Sequence, residues 1–249
     1  LWAWNEKRIK EIKKYINSLY VILPFEKEFF ESKHNYPVKF LGHPLTDSIY
    51  NFKTNNTSPN KLITTDKKPI IAILPGSRKQ EIKKILNTVI ETVEYFKEYQ
   101  FIVAGAPNIE LSYYTSIIKN KKIKVIENKT YELLSVSYAA IVTSGTATLE
   151  TALFKVPQVV CYKSSYFSFV IAKLIVNIKY ISLVNLIMDQ EIVKELIQHD
   201  CNKNKITKEL KKILDLNHRK SLKVKYDELT SILGNFGTSK RVALDIITK

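Results

Sequence analysis

Five apolar segments recur between residues 69 and 162, and they most constrain the fold of this chain. Each of the first four is followed by a stretch with helical spacing, and the segments are apolar on both faces. That pattern is typical of strands in a parallel sheet covered by helices on both sides. The sequence therefore predicts an α/β fold with a Rossmann-like, doubly wound parallel sheet. The predicted strands are 69–74, 101–104, 123–126, 139–142 and 158–162, and the predicted helices are 80–99, 109–119, 131–137 and 146–154.

The chain before and after this repeat has a different pattern. The polar stretch 51–68 predicts a linker or surface loop, which places a domain boundary between residues 42 and 68. Beyond residue 205 only helical spacing remains, so we expect a helical tail. At the other end, the patterns predict a basic amphipathic helix at 6–16, short strands at 19–23 and 37–41, and a helix that opens at Pro24.

Charge and composition limit the classes of partner. The 249 residues are 45% apolar, which supports a sizeable core, and the formal net charge is +15. Such a charge favours nucleic acid, an anionic membrane surface or phosphorylated small molecules. A Lys-rich genome is the alternative explanation for the excess of positive charge.

The chemistry of cysteine and histidine indicates neither a disulfide nor a metal site. Cys161 and Cys201 lack metal-like spacing, and the four histidines form no H-x-x-x-H pair, so we expect a reduced cytosolic protein without a metal. No secretory signal opens the chain, and no apolar run reaches the roughly 18 to 20 residues of a membrane span. Because the chain begins at Leu1 and its only methionine is Met188, we expect a fragment or a processed chain.

Two strand ends carry sequences suited to anions. After the first strand, Gly76 permits a tight turn, Ser77 is placed to cap the next helix, and Arg78 offers a forked cation. After the fourth strand, Ser144, Gly145 and Thr146 open another helix, where free N–H groups favour an anion. An ordinary capped turn with solvated side chains remains the alternative at each.

Together the two turns fit a nucleotide diphosphate lying across the edge of the sheet. Glu150 lies one helical turn beyond Thr146, where its carboxylate would accept hydrogen bonds from ribose hydroxyls. Neither turn has the Walker pattern or the dinucleotide pattern G-x-G-x-x-G, which argues against a P-loop NTPase and a standard NAD site.

A third segment, 162–198, contains apolar residues with helical spacing. The apolar positions 167, 170, 171, 174 and 175 are flanked by Lys163, Lys173 and Lys179. Such a helix lies on a membrane surface or packs its apolar side into the core. Asn185 and Glu191 follow at a predicted turn into a further helix.

Six motifs that follow one another in order resemble the lipid-A-disaccharide synthases, glycosyltransferase family 19. They are Trp2-Ala-Trp4 with Lys7-Arg8-Ile9; Leu23-Pro-Phe-Glu26; Leu41-Gly-His-Pro-Leu45; Leu74-Pro-Gly-Ser-Arg78; Ser144-Gly-Thr-Ala-Thr-Leu-Glu150; and Ser182-Leu-Val-Asn-Leu186 leading to Glu195-Leu-Ile-Gln198. The order, more than any single motif, makes the resemblance specific. Val184 stands where the family commonly has proline.

The resemblance implies a two-domain GT-B fold without a cofactor. Residues 1–45 would end an N-terminal acceptor domain, 46–68 would be a linker, 69–204 would bind the UDP-sugar, and 205–249 would form the helical tail. The diphosphate would lie against Gly76, Ser77, Arg78, Ser144, Gly145 and Thr146, with Glu150 near the ribose. Asn185, Glu191 and Gln198 would line the nucleotide pocket. No catalytic base is assigned, because the family's base lies in an N-terminal portion that this chain lacks, and the chain alone would bind UDP without being active.

The implied reaction transfers 2,3-diacylglucosamine from its UDP derivative to 2,3-diacylglucosamine 1-phosphate (lipid X), giving the lipid A disaccharide 1-phosphate and UDP. The implied setting is the cytoplasmic surface of the inner membrane, as a peripheral protein and a homodimer that exchanges C-terminal segments. Alternatives are a lipid II-forming transferase, a UDP-GlcNAc epimerase, or a non-catalytic basic module that binds membrane or nucleic acid. The lack of a nucleic-acid-binding motif argues against nucleic acid.

Overall fold

A computed structural model describes residues 5–55, 67–119, 123–163 and 179–248. Its central strands are β3 (Ile70–Leu74), β4 (Gln100–Gly105), β5 (Ile123–Glu127), β6 (Ser137–Thr143), β7 (Gln158–Tyr162) and β8 (Lys194–Ile197). They form a six-stranded, fully parallel sheet with the order β5-β4-β3-β6-β7-β8. The predicted α/β fold is confirmed, and the five predicted strands lie within two residues of the observed ones.

Strand β8 differs from the prediction, because the sequence pattern favoured a helix in this region. Two of its four residues, Lys194 and Glu195, are charged, and the strand pairs on one side only, with β7. A short edge strand of this kind lacks the continuous apolar run that marks the central strands.

Alternate residues of the central strands supply two cores, one on each face of the sheet. Ile71, Ile73 and Phe101 belong to the larger core, and Ile70 and Ala72 belong to the smaller one. The helices that cover the sheet include α4 (Lys79–Ile90), α5 (Leu111–Ile117), α6 (Thr130–Val136), α7 (Thr146–Leu153), α8 (Leu183–Met188), α9 (Lys203–Leu214) and α10 (Leu216–Leu233). Helix α4 is shorter than predicted, and a 3₁₀ turn follows it at Val93–Tyr95.

The N-terminal elements form a small layer with its own apolar cluster. Strands β1 (Tyr20–Val21) and β2 (Lys39–Phe40) pair in parallel, and helices α1 (Ile9–Tyr15) and α2 (Pro24–Glu28) accompany them. A 3₁₀ turn precedes α1 at Glu6–Arg8, and a π turn follows α2 at Phe29–Lys33. The cluster consists of Ile9, Val21, Phe30 and Val38.

Residues 46–55, predicted to belong to a linker, instead lie in helix α3 (Leu45–Asn55). Its Ile49 is buried in the larger core, so the helix is held by packing that its polar sequence does not reveal. The predicted domain boundaries at residues 45, 68 and 204 remain predictions.

The last helix, α11 (Thr238–Ile247), contacts both the N-terminal layer and α3. Near its end, the Asp245 carboxylate accepts hydrogen bonds from Tyr20 (2.5 Å) and Lys39 (2.7 Å). At its start, the Asp47 carboxylate of α3 accepts backbone N–H bonds from residues 237–239. Helix α11 therefore fixes the small layer against the helix that enters the larger core.

Three further expectations concern the cysteines, a membrane-spanning helix and the amphipathic helix predicted around residues 167–175. Cys161 and Cys201 are free and buried. Across the described segments, no helix is long and apolar enough to cross a membrane. The amphipathic helix predicted around residues 167–175 lies outside the described residues.

Candidate nucleotide-binding site

The strand order creates a crevice between the carboxyl ends of β3 and β6. From β3 the chain runs outward through β4 to β5, and it then returns to the other side of β3 with β6. Such a reversal is where open α/β sheets bind ligands. Leu74 pairs with Val142, so the two predicted anion-suited turns leave neighbouring strands at the same height.

A cavity of about 420 Å³ occupies this crevice, a size suited to a small molecule. It is lined by seven of the ten predicted site residues: Gly76, Ser77, Arg78, Ser144, Gly145, Thr146 and Glu150. The structure thus brings together two turns that lie far apart in the sequence.

A third wall of the cavity, which was not predicted, is formed at the carboxyl end of strand β4. Residues Ala104 to Pro107 line it, and Glu81, Thr130 and Thr143 also contribute to the cavity. The run Ala-Gly-Ala-Pro directly after an apolar strand was the available signal, because small residues let a ligand approach the backbone. The Thr143 hydroxyl itself is buried and has no hydrogen-bond partner among the described residues.

The turn after β3 exposes the start of helix α4. Gly76 has φ +99°, and a Cβ there would lie 3.0 Å from a Glu81 carboxylate oxygen. The expected cap by Ser77 is wrong: the residue at the N-cap is Arg78, and its side chain makes no capping bond to the helix start. The first N–H groups of α4 therefore lack a capping acceptor, as an anion site requires.

Arg78 is the only guanidinium among the described residues that line the cavity. Its side chain is 81% exposed, and Nη1 lies 3.0 Å from an oxygen of Glu81. Because an exposed ion pair contributes little energy, an anionic ligand can replace Glu81 as its partner at low cost.

The turn after β6 depends on a glycine conformation. Gly145 has φ +153° and ψ −164°, a combination that is essentially restricted to glycine. A Cβ at Gly145 would meet nothing within 4 Å, so the restriction comes from the backbone and not from crowding. Helix α7 also starts without a side-chain cap.

Ser144 holds this turn in place with both of its donors. Its N–H donates to the carbonyl of Cys161 (3.1 Å), and its hydroxyl donates to the carbonyl of Ile181 (2.7 Å). The hydroxyl keeps only lone pairs, which do not attract an anion. In the described part of the chain, the donors still open at this turn are the N–H groups of Gly145 and Thr146 and the Thr146 hydroxyl.

Glu150 faces the cavity from helix α7 and accepts a hydrogen bond from the Tyr131 hydroxyl (2.9 Å). Burial raises the pKa of Glu150, and the bond from Tyr131 offsets only part of that rise. The carboxylate keeps lone pairs that can accept bonds from ligand hydroxyls.

The other three predicted site residues do not line this cavity. Asn185 is fully buried, and its amide bonds the backbone of Ile192 and Val193 and the carboxylate of Glu195. Glu191 is exposed and pairs with Lys194 at 2.8 Å. Gln198 directly follows β8 and has φ +51°. The place of these three residues in a nucleotide pocket remains a prediction.

Glu195 links Asn185 to the cavity. Its carboxylate accepts N–H bonds from Ile181 and Ser182 (both 2.9 Å) and a bond from the Asn185 amide (2.8 Å). The Ile181 carbonyl in turn receives the Ser144 hydroxyl. A chain of hydrogen bonds thus runs from a half-buried carboxylate to the turn that opens α7.

Metal-ligating side chains are not clustered: the described residues hold no group of three or more His, Cys, Asp or Glu that could bind a metal ion.

Solved structures share this fold at low sequence identity. The co-structure of S. aureus MnaA with UDP has a TM-score of 0.65 at 16% identity, covering 94% of this chain and 62% of that one. UDP-GlcNAc 2-epimerase from Neisseria meningitidis, bound to UDP-GlcNAc, has a TM-score of 0.62 at 13% identity, with coverages of 92% and 60%. The calicheamicin glycosyltransferase CalG4 has a TM-score of 0.60 at 12% identity, with coverages of 98% and 56%. At these identities the likeness shows the fold alone.

Sequence comparison is more specific. The family described as lipid-A-disaccharide synthetase matches residues 1–244. Lipid-A-disaccharide synthase from Coxiella burnetii (strain Dugway 5J108-111) is 34% identical over 98% of this chain and 65% of its own length. The synthase from Persephonella marina is also 34% identical, over 98% of this chain and 68% of its own length. This chain thus spans about two thirds of the length of these relatives. It belongs to the lipid-A-disaccharide synthase family.

Proposed function

We propose that the cavity between β3 and β6 holds the UDP part of a UDP-sugar, and that the protein transfers 2,3-diacylglucosamine from it to 2,3-diacylglucosamine 1-phosphate. The products are the lipid A disaccharide 1-phosphate and UDP. The observation that carries this proposal is the meeting of two uncapped helix starts, each behind a glycine turn, at one crevice. Family membership supports this choice of sugar and acceptor.

In this proposal the site stabilises the departing diphosphate. When the bond between the sugar and the phosphate breaks, negative charge grows on the β-phosphate oxygen. The N-termini of α4 and α7 would each stabilise that charge by about 0.3 to 1 kcal/mol, and a charge-assisted bond from Arg78 would add about 1.5 to 3 kcal/mol. The backbone groups are fixed before the reaction, so their alignment costs little when the charge develops.

Glu150 would bind the ribose hydroxyls. Its carboxylate is oriented by Tyr131, and it faces the cavity one helical turn beyond Thr146. We assign no catalytic base to this chain.

The proposed partners follow from the lipid substrates and the family. We propose a peripheral position on the cytoplasmic surface of the inner membrane and a homodimer that exchanges C-terminal segments. In such a dimer Glu191 or Gln198 would meet a nucleotide held by the partner chain.

Isothermal titration with UDP tests the nucleotide site. We expect saturable binding that Arg78→Ala and Glu150→Ala both weaken about tenfold or more, since each removes a charged hydrogen-bonding group. Lys83→Ala is the matched control, because Lys83 is an exposed cation on the same helix, α4, and does not line the cavity. Equal losses in Arg78→Ala and Lys83→Ala would show a net charge effect and contradict the assigned site.

The reaction is tested by supplying both lipid substrates to a protein of the relatives' full length. Disaccharide formation that depends on Arg78 is the expected result. Conversion of UDP-GlcNAc to its 2-epimer would instead support the epimerase alternative, which at present rests on fold likeness alone.

A further inference from the structure

One segment near the end of the chain carries nearly half of the net positive charge. Residues 203–225 hold nine Lys or Arg and two acidic residues, a net charge of +7 out of the +15 of the whole chain. This local excess of charge makes the segment a candidate surface for an anionic partner.

These residues lie in two consecutive helices, α9 and α10, which share one core. Only Asp215 separates the helices, and it caps α10 by accepting the N–H bonds of Asn217 and His218. Both helices bury their apolar sides in the larger core of the sheet, so their opposite sides face away from that core. The buried residues are Ile206, Leu210 and Ile213 on α9 and Leu222, Tyr226, Leu229 and Leu233 on α10.

Five lysines lie on the outward sides. At 3.6 residues per turn they project away from the buried stripe of each helix. All five are exposed, and none forms an ion pair with the described residues. They are Lys208, Lys211, Lys212, Lys220 and Lys223, and we call them the basic face.

Two aliphatic side chains stand among these lysines. Leu216 and Val224 are each 66% exposed, and with Lys220 between them they follow i, i+4, i+8 spacing along one stripe of α10. Exposed aliphatic side chains between lysines fit the interface of an anionic bilayer, where the apolar groups enter the acyl boundary and the ammonium groups meet the phosphates.

The same face is poorly suited to nucleic acid. Single-stranded binding surfaces present aromatic side chains and arginines on which bases stack. Here Tyr226 is buried, and the Arg219 guanidinium already lies 3.5 Å from the ring of Tyr138. The aliphatic composition therefore favours lipid.

We propose that the basic face, with Leu216 and Val224, is the surface by which this protein docks on anionic phospholipid. This inference deepens the proposed association with a membrane by naming the surface that makes it. It stands on the charge distribution and does not depend on UDP binding.

Flotation with vesicles of phosphatidylcholine containing phosphatidylglycerol tests the proposal, with pure phosphatidylcholine as reference. We expect binding only to the anionic vesicles, and binding that falls with salt. The variant with Lys211, Lys212, Lys220 and Lys223 changed to Gln should bind several hundredfold more weakly, since each of the four lysines contributes roughly fivefold.

A matched variant changes Lys10, Lys13, Lys27 and Lys83 to Gln, which removes the same charge from exposed positions elsewhere. It should bind the vesicles within about threefold of the parent, because these four lysines lie outside the surface formed by the basic face with Leu216 and Val224. Equal losses in the two variants, or no loss in either, would overturn the proposal. The double variant Leu216→Ser and Val224→Ser should weaken the binding that survives in high salt.

Two controls distinguish lipid docking from a defect in the nucleotide site and from binding of nucleic acid. UDP titration of the Lys→Gln variants should be unchanged, so a failed nucleotide site and a failed docking surface give different results. Displacement of the protein from anionic vesicles by single-stranded RNA at equal phosphate concentration would assign the face to nucleic acid and refute lipid docking.

Discussion

Glu191 and Glu195 lie four residues apart, and the structure gives them different surroundings. The family resemblance placed Glu191 in the nucleotide pocket. In the structure Glu191 is an exposed partner of Lys194, whereas Glu195 accepts three hydrogen bonds near the turn that opens α7. Alanine substitution of each residue tests which of them supports the site.

The size of the Glu195→Ala effect follows from its three donors. The N–H groups of Ile181 and Ser182 and the amide of Asn185 would lose their acceptor, and Ser182 and Asn185 are buried. A bond to a charged group contributes about 1.5 to 3 kcal/mol, and water can replace part of it at a half-buried site. We therefore expect a loss of about 3 kcal/mol in the free energy of unfolding. Glu191→Ala removes one exposed pair and should cost about 0.5 kcal/mol or less.

Urea unfolding monitored by circular dichroism measures both free energies. In a thermal melt of a protein of this size, a loss of about 3 kcal/mol lowers the melting temperature by roughly 6 to 12 °C. UDP affinity supplies the second readout. Glu195→Ala should loosen Ile181, whose carbonyl accepts the Ser144 hydroxyl at the second turn of the site. Because one weakened hydrogen bond corresponds to roughly a fivefold change, we expect a fivefold loss of UDP affinity.

Two results would refute this reasoning. One is a Glu195→Ala variant as stable as Glu191→Ala. The other is a loss of UDP binding in Glu191→Ala alone, which would restore the pocket role that the resemblance implies and would direct attention to the partner chain of a dimer.

Three further predictions concern other parts of the structure. Gly145→Ala should destabilise the protein by about 1 to 3 kcal/mol and weaken UDP binding, since its backbone conformation is restricted to glycine; thermal unfolding and titration measure the two effects. Uridine binding should weaken as pH falls through the raised pKa of Glu150, at a higher pH than for an ordinary Glu, and a titration series with Glu150→Gln should lack this dependence. Asp47→Asn should cost about 1 to 2 kcal/mol at neutral pH. Desolvation raises the pKa of Asp47, but the hydrogen bonds from Ser239, Gly237 and Thr238 outweigh that effect, so the pKa is lowered. The stability that these bonds contribute is present above the ordinary Asp pKa and is lost as pH falls through the lowered pKa. In urea unfolding from about pH 7 to pH 3, the free energy of unfolding of the parent should therefore fall toward that of the variant.

The parts of the fold that depend on burial alone could be predicted from the sequence. The central strands are apolar on both faces, so continuous runs marked them within two residues. Strand β8 was missed because an edge strand is half exposed, and most of α3 was taken for a linker because only Ile49 and Asp47 of its residues are buried. A short polar segment carries no sign of the core against which it will pack.

At the candidate nucleotide site, too, local features could be predicted from the sequence and contacts between distant segments could not. The two turns could be predicted because glycine and a helix start are adjacent in sequence. The role of Asn185 could not, because its four side-chain bonds join segments that only the packing around α8 and β8 brings together. Ser144 was expected to face the diphosphate, yet its hydroxyl donates to a carbonyl that lies 37 residues away in the sequence.

In the proposed site, backbone N–H groups would position the diphosphate together with the side chains of Arg78 and Glu150. Once the Ser144 hydroxyl is committed to Ile181, the donors left at the second turn within the described chain are two N–H groups and one hydroxyl. At the first turn they are the uncapped N–H groups of α4 and the exposed guanidinium of Arg78. Backbone donors can converge on one diphosphate only if β3 and β6 are neighbours and end at the same height, which the pairing of Leu74 with Val142 provides. Because the strand register sets the distance between the turns, a change that shifts β6 should reduce UDP affinity even where it leaves every lining side chain in place.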